Sequence, residues 1–415
     1  MDRRGLLHVS AAAAMFGVPV RGAAVRPPSL PGQKLFERNP EEYWNRIRAE
    51  QFYLPGWRAF LNNGSLGIVA RPVMQAVVDY LHSSAALEMD YYPRWGYETM
   101  DEFRQELADF YGCNKDELAL MHNATEAMST IAAGIELKAG DEVLITDQEH
   151  PSGRGCWHMR QARHGISVRE VAIPLPPKSG DEVADRIVSA VGPRTRVLSF
   201  SGITSPSGLV VPVRQICDAA RAKGVISVVD GAHMHGQIPF RTADLNCDYM
   251  AGSPHKWVFA PAGCGLLYIR EENLEKLWPS IVSGSWKETK LKAARFMNMG
   301  TNNRAIMEGM MAGLRFLKQL GPERVYARMH KVARYFLLKA GECPHVTLLT
   351  PDDDRQFGCL VTVRFKPEKL DRFHDLLKKR RIWANMGRQV RLSAHIHTRL
   401  RDVDAYFETM REALG

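Results

Sequence analysis

The sequence predicts an α/β protein: a large domain with a mostly parallel sheet between helices, then a smaller α+β C-terminal domain. Two observations support this class. Apolar runs of strand length alternate with segments of helical periodicity, as in βαβ units. The chain has 415 residues, of which 45% are hydrophobic, so it can bury a large core. The predicted strands cover residues 142–146, 167–172, 196–200 and 225–229.

Helical patterns flank these strands. Polar and aromatic residues at helical spacing predict a helix over 34–57, and another long helix is expected from about Ala305. A strand over 360–365 belongs to the smaller domain. The predicted organisation is a leader and linker over 1–30, an N-terminal helical segment over 31–59, the large domain over 60–300 and the small domain over 301–415.

The net charge and its distribution indicate which classes of binding partner to expect. The net charge is +9, with 24% charged residues, and part of it lies in the run Lys378 to Arg381, which is typical of an exposed helix end. No basic motif with interleaved aromatic residues accompanies it, so we expect no nucleic-acid partner. A solvated face or anionic substrates fit better.

The first residues predict an export signal. Arg3 and Arg4 precede a short stretch rich in Leu, Ala and Val that ends in small residues, as in a twin-arginine signal. This stretch is too short and too broken for a membrane span. We therefore expect a periplasmic protein without a membrane span; the alternative is a basic N-terminus on a cytoplasmic enzyme. The proline-rich residues 26–32 would form a linker.

Two residues near the middle of the chain indicate the chemistry. Asp230 ends a β-branched run, and Lys256 closes a Ser-Pro-His-Lys turn further along. An aspartate at the carboxyl end of a buried strand can keep a pyridine nitrogen protonated, and a lysine on a nearby turn can form a Schiff base. Singly, either residue is better read as a cap or a loop lysine, but together they predict a site for pyridoxal phosphate.

The motifs DGAH and SPHK and their spacing resemble the class V aminotransferase family of fold type I pyridoxal phosphate enzymes. Within it, the sequence most resembles the isopenicillin N epimerase-like branch, which is related to cysteine desulfurases. The resemblance runs from about Phe60 to the C-terminus. It implies a fold type I transferase fold and pyridoxal 5'-phosphate as the cofactor.

The resemblance also implies roles for other residues. His150 would stack on the cofactor ring, and His233 would approach the ring oxygen. Ser205 stands where many relatives carry an asparagine near that oxygen. The phosphate would be held at a helix N-terminus, where backbone N–H groups and the helix dipole favour an anion. The residues implied for this role are Ala124, Thr125, Ser253, His255 and, from the neighbouring subunit of a homodimer, Thr301.

Substrate contacts are expected at Asn63 with Gly64 and at Arg391. Asn63 lies in a Gly-rich turn that borders the substrate pocket in the family, although a simple turn is an equal alternative. Arg391 matches the arginine with which relatives clamp the substrate carboxylate, and a planar guanidinium suits that role because it binds a carboxylate in bidentate fashion. The expected substrate is a small amino compound.

The reaction itself is left open by the sequence. Cysteine desulfurases need a mobile cysteine on the loop before the carboxylate-binding arginine, and residues 381–389 contain none. Epimerisation, transamination and β-elimination, including C–S cleavage, all begin with removal of the α-proton. Export would favour tailoring of a secreted peptide such as a siderophore precursor, by a transaminase or an oxidase. A non-catalytic binding protein is disfavoured because Asp230, Lys256 and Arg391 are all present.

Cysteines and paired histidines predict neither a disulfide framework nor a metal site. The seven cysteines are odd in number and form no Cys-x-x-Cys pair, which disfavours a dense disulfide framework; one or two disulfides stay open as an alternative for a periplasmic protein. His233-x-His235 and His395-x-His397 lack the carboxylate or cysteine spacing that would complete a metal site. We expect no metal ion.

Overall fold

A computed structural model describes residues 29–86 and 95–415. The twin-arginine segment lies outside these residues, so export stays a prediction. Twelve helices of α type occur in the described part of the chain. In chain order they are α1 (Gln33–Arg38), α2 (Pro40–Gln51), α3 (Arg71–Ala86), α4 (Asp101–Tyr111), α5 (Ala124–Gly134), α6 (Pro151–His164), α7 (Gly180–Ser189), α8 (Val213–Ala222), α9 (Arg304–Leu320), α10 (Pro322–Gly341), α11 (Asp371–Lys379) and α12 (Leu400–Leu414).

The strands of the described residues are short. They are β1 (Ala59–Phe60), β2 (Leu118–Met121), β3 (Glu142–Thr146), β4 (Ser167–Val171), β5 (Thr195–Ser201), β6 (Ile226–Asp230), β7 (Tyr249–Gly252), β8 (Gly265–Ile269), β9 (Val346–Leu348), β10 (Leu360–Phe365), β11 (Ile382–Trp383) and β12 (Gln389–Ser393). Short 3-10 helices cover Lys115–Glu117, Thr242–Leu245, Glu271–Asn273 and Thr289–Met297.

The large domain is built on a seven-stranded sheet of order β2-β8-β7-β6-β5-β3-β4. The pairs from β4 through β3, β5 and β6 to β7 are parallel, whereas β8 runs antiparallel to both of its neighbours. Every residue of β2, β3, β7 and β8 is buried, as expected for a sheet covered on both faces. The predicted α/β class with a mostly parallel sheet is confirmed.

The small domain contains an antiparallel sheet of order β12-β10-β9. A second, two-stranded sheet pairs β1 with β11 in parallel and so joins the N-terminal segment to the C-terminal part of the chain. In α2, Arg48 Nη1 donates to the carbonyl of His397 at 2.6 Å, and Glu41 pairs with Arg328. The N-terminal helical segment is therefore packed on the small domain.

Two predicted helices are each divided at a proline. The helix expected over 34–57 is interrupted at Asn39, because Pro40 has no N–H to continue the first helix and instead begins the second. It also ends earlier than predicted, since Phe52 is extended. The helix expected from Ala305 likewise ends at Leu320, and Pro322 begins the next one after Gly321. No helix within 29–86 and 95–415 is long and apolar enough to cross a membrane.

Candidate active site

The candidate site lies at the carboxyl ends of the parallel strands, where ligands bind in sheets of this kind. The register pairs Ser201 with Asp230 and Asp230 with Ala251, so the ends of β5, β6 and β7 are level. A cavity of about 190 Å³ opens beside them. Its lining includes nine of the predicted site residues: Ala124, Thr125, His150, Ser205, Asp230, His233, Ser253, His255 and Lys256.

Asp230 is the last residue of β6 and is only 7% exposed. Its Oδ1 accepts a hydrogen bond from the backbone N–H of Ala232 at 3.0 Å, which fixes the carboxylate plane. Its Oδ2 lies close to Gly153 in α6, where an added Cβ would approach it to 3.2 Å. A buried carboxylate held in this way can accept a hydrogen bond from a protonated ring nitrogen in the cavity.

Lys256 follows β7 on a turn, and its Nζ lies 3.1 Å from His233 Nε2. Burial lowers the pKa of the Lys256 amine to about 8, the nearby Asp230 carboxylate opposes this shift, and Arg391 adds to it. Burial, together with Lys256 and Arg391, holds the pKa of His233 well below its usual range. His233 is therefore a neutral acceptor for the lysine.

The first turn of α5 also lines the cavity. Asn123 caps the helix by accepting from the Glu126 N–H at 2.9 Å, and the Ala124 N–H donates to Ser253 Oγ at 3.1 Å. His255 Nδ1 lies 3.1 Å from the Cys264 carbonyl, so this nitrogen carries the proton and the other ring nitrogen is free to accept. A helix N-terminus with a hydroxyl beside it is suited to a phosphate.

His150 is the N-cap of α6, and its Nδ1 accepts from the Ser152 N–H at 3.2 Å. The neutral ring therefore carries its proton on Nε2. Burial lowers the pKa of His150, and the positive charge of Lys256 lowers it further. A neutral ring at the cavity wall is suited to stacking on an electron-poor aromatic ring.

Arg391 projects from β12 and is 8% exposed. Its Nη1 donates to the carbonyl and to Oγ of Ser205, both at 2.9 Å, and it lies 3.4 Å from His233 Nε2. Its Nη2 is 3.4 Å from Ser65 Oγ. Burial lowers the pKa of Arg391 to about 10. Ser205 thus contacts the arginine, while Gly64 packs beside the guanidinium, where a Cβ would meet Nη2 at 3.2 Å.

Three predicted site residues do not line the cavity: Asn63, Thr301 and Arg391, of which Arg391 lies against the lining residues Ser205 and His233. Asn63 is fully buried beneath the turn over residues 253–257, which carries Lys256 and is called the lysine turn below. Its side chain donates to the Lys256 carbonyl and accepts from the Ile68 N–H. This placement corrects the expected substrate contact, because the amide would have to break both bonds to reach a ligand. Thr301 is exposed and does not line the cavity of its own chain. Its contact with a neighbouring subunit stays a prediction.

Sequence reasoning missed Glu149, a buried carboxyl behind Asp230. Its Oε1 accepts from Thr146 Oγ1 at 2.5 Å and from the Ser201 N–H at 3.2 Å, and its Oε2 accepts from Ser201 Oγ at 2.6 Å. Burial raises its pKa to about 7 despite these bonds, and the Asp230 charge raises it further. The signal in the sequence was a glutamate just beyond the end of a predicted strand and directly before His150.

The described residues fit the implied cofactor. His233 lines the cavity, and its buried Nδ1 has no hydrogen-bond partner among them. The cavity also brings together the Asp230 carboxylate, the Lys256 amine of lowered pKa and the N-terminus of α5. These three groups match the ring nitrogen, the aldehyde and the phosphate of pyridoxal phosphate.

A fold and a site of this kind define a cofactor-dependent enzyme of the fold type I class. The family model described as Aminotransferase class-V matches residues 60–415, and the chain belongs to this family. It is therefore a pyridoxal-phosphate-dependent enzyme, as the resemblance implied.

Relatives and solved structures agree with this assignment. The chain is 31% identical to an isopenicillin N epimerase of Streptomyces clavuligerus, over 86% of this chain and 94% of that protein. It is 32% identical to an isopenicillin N epimerase of Amycolatopsis lactamdurans, over 89% and 98%. The fold is similar to that of the apo cysteine desulfurase from Thermococcus onnurineus NA1, with a TM-score of 0.75 at 22% identity over 88% of this chain and 96% of that chain.

The raised pKa of Glu149 predicts a pH dependence of stability. Below its ordinary pKa, the Glu149 carboxyl is protonated in both the folded and the unfolded protein. As pH rises toward about 7, the carboxyl ionises in the unfolded chain but stays protonated in the folded protein. The free energy of unfolding should therefore fall by roughly 3 kcal/mol through this range. Glu149→Gln should remove that slope in urea denaturation of the cofactor-free protein.

The exposed Glu323→Gln provides the control and should keep the wild-type slope. A difference between wild type and Glu149→Gln that stays constant from pH 4.5 to pH 7 would show that Glu149 is ionised in the folded protein.

Proposed function

We propose that this enzyme removes the α-proton of an amino-acid substrate, with Lys256 as the base and Arg391 as the carboxylate anchor. One observation carries the proposal. Lys256 lines the cavity and Arg391 contacts two of its lining residues, Ser205 and His233. Neither cation has a salt-bridge partner among the described residues. Because an uncompensated buried cation is costly, the pair is best explained as a binding site for anionic groups.

Each residue of the site has a separate proposed role in this reaction. Pyridoxal phosphate, when bound, withdraws electrons from the substrate and so acidifies its α-carbon. Asp230 would hold a proton at the ring nitrogen, and the N-terminus of α5 with Ser253 would bind the phosphate. Lys256, whose amine has a pKa lowered to about 8, is a base of suitable strength near neutral pH. Arg391 would orient the substrate by its carboxylate.

The outcome that we favour is epimerisation. The two isopenicillin N epimerases align over nearly their whole length. Desulfuration is less well supported, because in the part of the chain that the structure describes every cysteine except Cys113 is buried. Burial raises the pKa of Cys113, Cys156 and Cys217 to about 12, and it also raises the pKa of Cys359, the cysteine beside Arg391.

Incubation of a panel of D- and L-amino acids in D₂O would separate the outcomes. Loss of stereochemistry at the α-carbon indicates epimerisation, formation of a 2-oxo acid indicates transamination, and release of a β-substituent indicates elimination.

We also propose that the enzyme is exported through its paired Arg3 and Arg4. Residues 1–30 fused to a reporter should deliver it to the periplasm, and replacing both arginines by lysine should retain it. Retention of the unaltered fusion in the cytoplasm would contradict export without affecting the catalytic proposal.

Lys256→Ala should lower the rate of α-proton exchange by at least about 100-fold, because it removes the base. It should also abolish the visible absorption band that forms when pyridoxal phosphate is added to the wild type. After borohydride reduction, mass spectrometry should find the cofactor on the wild-type peptide that contains Lys256. Lys223→Ala, at an exposed lysine, is the matched control. Full exchange activity in Lys256→Ala would overturn the proposal.

Arg391→Lys should weaken amino-acid binding by roughly 10-fold to 100-fold, since an ammonium cannot replace the bidentate fork. The measurement is the amino-acid concentration that half-shifts the visible band, for whichever compound of the panel shifts it. Cofactor affinity should change little. Arg388→Lys, at an exposed arginine directly before β12, serves as the control. Equal losses of cofactor and amino-acid affinity would contradict the anchor role.

A further inference from the structure

The His395-x-His397 motif has no role in the site described so far. Both histidines directly follow β12, the strand that carries Arg391, and each is only 1% exposed. Metal binding does not explain them, because no group of three or more ligating side chains forms within the described residues. Their hydrogen bonds instead lead to the lysine turn.

His397 reaches the lysine turn through Asn63. The Asn63 Nδ2 donates to the Lys256 carbonyl at 2.6 Å, so its Oδ1 is the acceptor on the other side of the amide. That oxygen accepts from the Ile68 N–H at 3.3 Å and lies 3.2 Å from His397 Nε2. His397 must therefore carry its proton on Nε2 and donate it to Asn63.

His395 reaches the next carbonyl of the same turn. Its Nδ1 accepts from the Ile396 N–H at 2.8 Å, so the neutral ring is protonated on Nε2. That N–H donates to the Trp257 carbonyl at 3.2 Å. The two histidines thus hold two consecutive carbonyls, those of Lys256 and Trp257.

Packing and burial keep both rings in these states. The two imidazoles are stacked, with centroids 5.5 Å apart and planes 12° apart, and His395 also stacks on Trp257. Burial lowers the pKa of His395 to about 4 and that of His397 well below its usual range. Near neutral pH both rings are therefore uncharged, and the direction of each hydrogen bond is fixed.

The loop between the two parts of the site is tightly fitted. The Gly67 N–H donates to the His255 carbonyl at 3.1 Å, and a Cβ on Gly67 would come within 2.4 Å of the Lys256 carbonyl. On the other side, the Gly64 N–H donates to Ser393 Oγ at 2.9 Å. Residues 61–68 therefore fill the space between the lysine turn and β12.

We propose that Asn63, His395 and His397 are positioning residues that fix the Lys256 turn relative to the strand carrying Arg391. The inference rests on the proposed roles of Lys256 and Arg391. Its consequence is that the base and the carboxylate anchor, which come from different domains, are kept at a constant separation. A displacement of about 1 Å between reacting groups can lower a rate roughly 100-fold.

The test uses three variants of the full-length protein. His397→Phe keeps the ring volume and removes the donor, whereas His397→Gln retains an N–H near the Nε2 position. Asn63→Asp keeps the shape and the bond from His397 but places an oxygen against the Lys256 carbonyl. His330→Phe is the control, because it removes a histidine that also lies within hydrogen-bonding distance of a backbone carbonyl, that of Gly358.

Two readouts separate positioning from simple stabilisation. The first is kcat and KM for α-proton exchange in D₂O, with the most active amino acid of the panel. The second is the rate at which the visible band forms after pyridoxal phosphate is added to cofactor-free protein. His397→Phe and Asn63→Asp should lower kcat and the rate of band formation about 10-fold to 100-fold. KM should stay within about 2-fold, because Arg391 is unchanged.

His397→Gln should recover most of both rates, and His330→Phe should resemble the wild type in both even if its Tm falls. If Asn63→Asp folds and forms the band at the wild-type rate, the positioning role is wrong. The same holds if His397→Gln is as impaired as His397→Phe. If the wild type itself forms no band, or if Lys256→Ala still forms it, the proposed function fails instead.

Discussion

The site depends on holding two cations close together, Lys256 in the cavity and Arg391 against its lining residues Ser205 and His233, with the single carboxylate of Asp230 nearby. Desolvation lowers the pKa of both groups, and each charge disfavours protonation of the histidines around it. His233 and His150 are consequently neutral. The Lys256 ammonium is stabilised by the Asp230 carboxylate, and the Arg391 guanidinium by its hydrogen bonds to Ser205. Such an arrangement is costly in the absence of ligand and favours ligands that bring negative charge.

The fold supplies these groups from elements that are far apart in sequence. The parallel register of β5, β6 and β7 levels their carboxyl ends, which places Asp230 beside the turn that bears Lys256. The small domain contributes Arg391 through its antiparallel sheet. A third element, the loop over residues 61–68, fills the space between the two domains with backbone contacts. The site is therefore assembled at a domain junction, a common location for ligand pockets.

Much of this could be predicted from the sequence. Alternating periodicities defined the sheet, and strand ends identified Asp230 and the helix N-terminus at Ala124. Helix breaks at Asn39 and Gly321 were missed, although the prolines beside them carry the signal. Asn63 and Glu149 could not be placed, because their roles follow from burial and from partners such as Lys256 and Ser201 that lie far away in the sequence. Local patterns do not encode such long-range contacts.

The hydrogen bonds around the site determine which ring nitrogen carries the proton in four of its histidines. His150 and His255 face the cavity with opposite ring nitrogens protonated, because Ser152 donates to Nδ1 of the first and the Cys264 carbonyl accepts from Nδ1 of the second. His395 and His397, behind the lysine, are both donors on Nε2. Each tautomer is set by a backbone or amide group and not by pH, since burial keeps the rings neutral. Lys256 is then the group of this set whose protonation changes near neutral pH, as a base requires.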